Sequence, residues 1–292
     1  MSPTHPARLS STAVEIAESL YQHRLLSTRQ IHDLHTPDAS MQWAGRLLAR
    51  IRQAGLADNV RQPGGTGLWY LTPAGAQAVE TIGNRAEDRR KLTTPAQAAG
   101  PLQQHTLAVN DIGIAFVNAA RARGHRCGPF SWRHEIAHPI GSLRGQRRRE
   151  VVIADALLTY ELIDGDQTSF HYRFLELDRT TLPTDALATK LTRYARLYHH
   201  TGQTGTEPLW TERYTVFPAV LVALTNERRA RLEQRRRTVL AICADDRHLR
   251  ESPEVQVAIC LADDLDQHGP FAPIFRTAGN RRADTDWLGN PA

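Results

Sequence analysis

The sequence predicts an α+β protein in two parts: a small helical domain closed by a β-hairpin, then a larger α/β domain around a mixed sheet. Three observations predict it. Helical periodicity dominates residues 11–54 and gives way to two short strand-like runs around a glycine-rich turn. Apolar periodicity then stops between Ile82 and Pro101, as a linker requires. Beyond that point strand-like runs and amphipathic helices follow one another to residue 268. With 292 residues, 41% of them hydrophobic, the chain is long enough to bury two cores.

In the first part, "STAVEIAESLYQHRLL" places Val14, Ile16, Ala17, Leu20 and Tyr21 at helical spacing. "STRQIHDLH" opens a second helix with Ser27 as N-cap. A third, from Ser40 to Ala54, sets Trp43, Leu47, Leu48 and Ile51 on one side and Arg46, Arg50 and Gln53 on the other. A strand, a turn at Pro63 to Gly67, the strand "LWYLT" and a helix opening at Pro73 complete residues 1–82. Residues 83–103 read as the linker.

In the second part, residues 104–268, "QHTLAVNDIGIAFVNAARARG" is an amphipathic helix with Gly124 just past its end. Strands are expected at "PFSWRHEIAH", "REVVIADALLTYELI", "SFHYRFLELDR", "YTVFPAVLVALT" and "EVQVAICLADD". Helices are expected at "TDALATKLTRYARLYHH" and "NERRARLEQRRRTVLAICADD". This αβββαβ order, with an added helix and strand, is that of a restriction-endonuclease-like core. Residues 269–292, rich in Gly, Pro, Asp and Arg, are expected to be poorly ordered.

No run is long enough to span a membrane, and "MSPTHPARLS" carries no signal pattern. Cys127, Cys243 and Cys260 form no CxxC pair, which argues against a zinc site or a disulfide framework. A cytoplasmic, bacterial-type protein fits. The net charge is +5, and of 36 basic residues only Lys91 and Lys190 are lysine. GC-rich coding accounts for that bias and makes a surviving lysine conspicuous.

Two carboxylates in "RFLELDR" stand at alternate positions, Glu176 and Asp178, so both project from one face of a strand. Asp155 lies inside "VVIADALL", where an isolated ionised group would cost several kcal/mol without a cation or hydrogen bonds. A hairpin return would set Asp155 and Glu176 side by side. That is the arrangement with which PD-(D/E)xK nucleases hold Mg²⁺ or Mn²⁺. The lysine such a strand would carry is Asp178 here. Lys190, on the following helix, is the substitute, or else an ordinary exposed helical lysine. Asp178 could instead complete an all-carboxylate metal site, with Asp111 adding a fourth acid.

The phrase "QAGLADNV…GGTGLWYLTPAG" resembles winged helix-turn-helix regulators. That resemblance implies that the helix from Ser40 to Ala54 enters a major groove, with Arg46 and Arg50 near phosphates or bases. Arg61 on the wing points to DNA rather than to a protein partner. "HTLAVNDIGIAF", "VVIADALLTY", "FLELDRTT" and "KLTRYARLYHH" together resemble the replication-relaxation family of plasmids and integrated elements. They are also similar to MobC-type relaxases, which join a winged helix to a nuclease-like fold. The resemblance implies double-stranded DNA at a plasmid or element origin as partner, with a coupling ATPase or replication proteins beside it. For the MobC-type relatives it implies nicking at a transfer origin.

The alternative is a non-catalytic replication or regulatory factor whose nuclease core is only a scaffold. Tyr194 and Tyr198 stand at helical spacing beside leucines and read as core rather than as nucleophiles. His105, His134, His138, His199 and His200 have no ligand spacing. "RGQRRRE", with Arg147 and Arg148, and "RRARLEQRRR" could flank DNA or be solvated faces.

Overall fold

The computed structural model describes residues 9–62, 65, 67–83, 93–94, 98, 100, 103–142, 149–201, 205–279 and 283–291. The chain folds as two compact units, Met1–Ile114 with Gly128–Phe130, and Ala115–Cys127 with Ser131–Ala292.

The first unit contains α1 (Ser11–His23), β1 (Leu26–Ser27), α2 (Thr28–His35), α3 (Met41–Gln53), β2 (Ala57–Arg61), β3 (Gly67–Leu71) and α4 (Pro73–Gly83). Ser27 caps α2 in a full capping box with Gln30. Leu47, Leu48 and Ile51 of α3 are buried. Trp43 is not: expected on the apolar side, it is 39% exposed. It lies in the first turn of α3, where the buried stripe is carried by Ala44 instead.

The chain order "GL…LT..G" has a local cause. Gly55 ends α3 with φ +73, a conformation open to glycine. The Thr72 hydroxyl donates to the Gly55 carbonyl at 2.6 Å and accepts the Gly75 amide at 3.1 Å. A side chain at Gly75 would collide with the Leu56 carbonyl. The hairpin base and the start of α4 are therefore locked to the end of α3. The strands form a three-stranded sheet of order β1-β3-β2.

The helix α5 (Gln103–Arg123) begins in the first unit and ends in the second. Asn110 donates to the Leu25 carbonyl at 3.0 Å, and Gln30 donates to the Leu107 carbonyl at 2.8 Å, which ties the first half of the helix to the first unit. The division thus falls inside a helix, whereas most of the expected linker at 83–103 lies outside the described residues.

The second unit follows with β4 (Trp132–Ser142), β5 (Arg149–Asp164), β6 (Gln167–Asp178), α6 (Thr184–His199), β7 (Ala219–Leu224), α7 (Arg229–Asp245), α8 (Arg247–Arg250), β8 (Val257–Leu261), α9 (Ala262–His268) and β9 (Arg276–Thr277). Its six-stranded mixed sheet has the order β4-β5-β6-β7-β8-β9. The first three strands are antiparallel neighbours, and β6, β7 and β8 run parallel. Crossover helices α6 and α7 cover the sheet with Leu187, Leu191, Tyr194, Leu232, Val239 and Leu240.

The described residues of the C-terminal segment include two that pack into the second unit. Phe275 is 0% exposed and Trp287 4%, while β9 pairs with β8. Two buried aromatics anchor a segment whose other residues read as loop. Among the described residues no helix is long and apolar enough to cross a membrane.

Candidate functional site

The β5–β6 ladder ends at the pair Ala156↔Leu175, whereas β6 continues beside β7 as far as Asp178↔Leu224. Where the ladder ends, the Asp155 side chain takes over: its Oδ2 accepts the Leu177 amide at 2.8 Å. Asp155 is thereby fixed next to Glu176, the neighbour expected from the hairpin register. Glu176 is 2% exposed.

The cation between them comes from α6. Lys190 donates to Glu176 Oε2 and stands 3.6 Å from Asp155 Oδ1. One turn further along, the hydroxyl of the fully buried Tyr194 donates to Glu176 Oε1. Two strands and one helix therefore converge on one ionic cluster. The lysine is not an ordinary exposed one.

Asp178 takes another course. It is buried, and it pairs with Arg235 of α7 rather than with Asp155 or Lys190. The same guanidinium donates to Thr184 Oγ1 at 3.1 Å and to the Leu182 carbonyl at 2.8 Å, and the Thr180 amide donates to Asp178 Oδ1 at 3.1 Å. This clamp fixes the β6–α6 connection that sets the position of Lys190. Asp178, expected among the metal acids, is held in this structure by Arg235 and the Thr180 amide.

Asp111 belongs to the first unit, where Gln30 donates to its Oδ1 at 2.7 Å. Among the described residues no group of three or more His, Cys, Asp or Glu side chains is placed to hold a metal ion. Asp155 and Glu176 remain as a two-carboxylate donor set. Oxygen donors of this kind suit a hard divalent cation. Burial and the adjacent Asp155 push Glu176 above the usual carboxylate range, to about 8, against the pull of Lys190 and Tyr194. Burial alone would lower Lys190, but the two carboxylates outweigh it and hold the ammonium protonated.

The cluster opens on a cleft lined by Glu135, Ile153, Asp155, Leu182, Lys190 and Arg193. Sequence reasoning missed Glu135. It lies within β4 at φ +53, a left-handed value that is uncommon for a non-glycine residue and is concentrated at functional sites. It sits between the paired residues His134 and Ile136, which face Ala156 and Ala154. Nothing in "WRHEIAH" announces that break. Ile153 and Leu182 are 49% and 54% exposed, so the cleft has apolar walls.

Arg46 and Arg50 are exposed on α3, and Arg61 is exposed at the end of β2. Arg147 and Arg148 lie outside the described residues. The arginines of α7 are largely engaged within the protein: Arg229 grips Asp264 through two nitrogens, at 2.6 and 3.0 Å, and Arg236 binds Glu233 at 2.8 Å. They are paired, yet Arg229 and Arg231 keep side chains 64% and 76% exposed. Tyr198 stacks on Trp210, and His138 is buried against the Tyr214 hydroxyl at 2.9 Å.

A family model described as Replication-relaxation matches residues 18–210, more than half of the chain. No curated protein matches. Among solved structures, the restriction endonuclease FokI bound to DNA is similar at 11% identity and a TM-score of 0.28, over 89% of this chain and 44% of that one. The chain thus spans less than half the length of FokI, and so low a TM-score does not equate the two folds.

Proposed function

Because the chain belongs to the replication-relaxation family, we propose that it is a DNA protein of a plasmid or mobile element that binds a specific origin and nicks it. In this reading the first unit is a winged helix-turn-helix whose α3 enters the major groove, with Arg46, Arg50 and Arg61 on the DNA. The second unit is a PD-(D/E)xK-type nuclease domain. Its place is the cytoplasm, and a coupling ATPase or replication proteins are its further partners.

The observation that carries the nuclease reading is the convergence of Asp155, Glu176 and Lys190 at one cleft. Bound Mg²⁺ or Mn²⁺ would activate water and stabilise charge on the scissile phosphate. Asp155 and Glu176 would hold it. Lys190, with its side chain 30% exposed, reaches from the cluster toward the cleft and would steady charge developing on the phosphate. Tyr194 fixes the orientation of Glu176, and the Asp178–Arg235 clamp holds the connection that leads to Lys190.

One observation favours the scaffold reading: both oxygens of Glu176 are already occupied within the protein. Supercoiled plasmid carrying the cognate origin separates the two. Metal-dependent nicking by the wild type, lost in Glu176→Gln with DNA affinity retained, is the expected result. Equal conversion by both proteins, or none by either with Mg²⁺ or Mn²⁺ present, would establish the scaffold.

A further inference from the structure

A second cavity, of about 600 Å³, lies in the second unit away from the acid cluster. Its volume is that of an ordinary small-molecule pocket. It opens where β7 and β8 begin, beneath the C-terminal segment, and its walls are largely apolar: Val220, Leu221, Leu249, Val257 and Leu288. Arg173 enters it from β6. Three positions from Glu176, it projects from the opposite face of the strand.

The polar groups of this cavity are unbalanced. Arg173 donates to the carbonyls of Tyr172 at 2.9 Å and Trp287 at 3.1 Å, and its guanidinium lies 4.6 Å from the centre of the Trp287 ring. Among the described residues no carboxylate reaches it within ion-pair distance. Burial pulls its pKa down to about 10. Trp287 is 4% exposed, and its indole N–H is buried with no acceptor among the described residues. Asp286 also lines the cavity, but its carboxylate is occupied in its own turn by the Leu288 amide at 2.9 Å and the Asn290 amide at 2.8 Å. What remains is a largely desolvated guanidinium with no carboxylate at ion-pair distance among the described residues, set among largely aliphatic walls.

We propose that this cavity binds a small amphiphilic anion, a carboxylate or phosphate monoester with an apolar body, whose head is received by Arg173 beside the Trp287 ring. The apolar body lies along the β7 and β8 walls. The site is independent of the nicking reading, since none of its residues belongs to the acid cluster.

Calorimetric titration of the full-length protein with octanoate, octyl phosphate and inorganic phosphate tests it. The Trp287 indole resonance is followed in parallel by ¹⁵N-correlated NMR, assigned through Trp287→Phe. Saturable one-to-one binding of an amphiphile that moves this resonance is expected, weakened about 10–100-fold by Arg173→Met. Tighter binding of octyl phosphate identifies a phosphate head, and tighter binding of octanoate a carboxylate. Should Arg173→Met not fold, Ala258→Met fills the cavity from its β8 wall and abolishes binding. The proposal is overturned if neither amphiphile moves the resonance, if inorganic phosphate binds as well as both, or if Ala258→Met binds unchanged.

Discussion

Glu176 and Asp178 share one strand and one face, and both are almost fully buried. Glu176 meets a lysine that is partly open to a cleft; Asp178 meets an arginine whose side chain is 11% exposed. Lysine offers a compact charge on a flexible stem, which another cation can displace. Arginine offers a planar fork that satisfies several acceptors at once. Arg235 uses its fork to join Asp178, Thr184 and the Leu182 carbonyl. Two identical-looking acids therefore serve different ends: one pair holds a connection in place, and the other keeps charge at the mouth of a cleft. Burial of a carboxylate does not itself mark a reactive one. What separates these two is how far the partner cation opens to solvent.

The strongest way to break this comparison is to remove each cation. Arg235→Met leaves Asp178 buried beside no cation, and stability should fall by about 3–5 kcal/mol in chemical denaturation. Lys190→Met should cost no more than about 1–2 kcal/mol, because Glu176 already binds a proton readily and can neutralise itself. Equal losses would erase the distinction. Activity sharpens it in the opposite sense. Lys190→Ala should slow plasmid nicking by about 10²–10³, and Lys190→Arg should recover only part of the rate.

A third buried titratable group supplies the neutral counterpart. His138 is 3% exposed, has no anion as partner among the described residues, and is held near pKa about 4 by burial, with Arg213 acting in the same direction. The unfolded chain takes up this proton near 6.5 and the folded chain does not. Stability is therefore fully present above pH 6.5 and is lost as pH falls toward 4, by about 3 kcal/mol. Melting curves across that window should show the slope, and His138→Phe should flatten it.

The last prediction belongs to the first unit. Arg46→Ala or Arg50→Ala should weaken origin binding by about 1–3 kcal/mol where the side chain reads a base, and less where it meets a phosphate. A fluorescence titration that shows no salt-dependent binding by the wild type would remove DNA from the role of α3.

Much of the architecture was legible because local rules carry it. Ser27 was legible as the N-cap of α2; the reciprocal bond from Gln30 and the Thr72 lock at the hairpin base came only with the structure. The alternation in "ELD" placed both acids on one face, and the hairpin placed Asp155 beside Glu176. Trp43 misled because three apolar positions of α3 were extended to a fourth at the helix start. The C-terminal segment misled because Phe275 and Trp287 are outnumbered by loop-forming residues, although two aromatics suffice to anchor it.

The sequence by itself determined the longer strands and helices and the placement of Asp155, Glu176 and Asp178 on them, because periodicity and hairpin return act over short spans. Tertiary structure alone decided which cation each acid receives. Lys190 stands 14 residues from Glu176, and Arg235 stands 57 from Asp178. Those partners meet only because parallel crossovers bring α6 and α7 back onto the sheet. The left-handed turn at Glu135 and the orphaned indole of Trp287 are likewise set by packing, since no local pattern specifies how a distant backbone or ring will close against them.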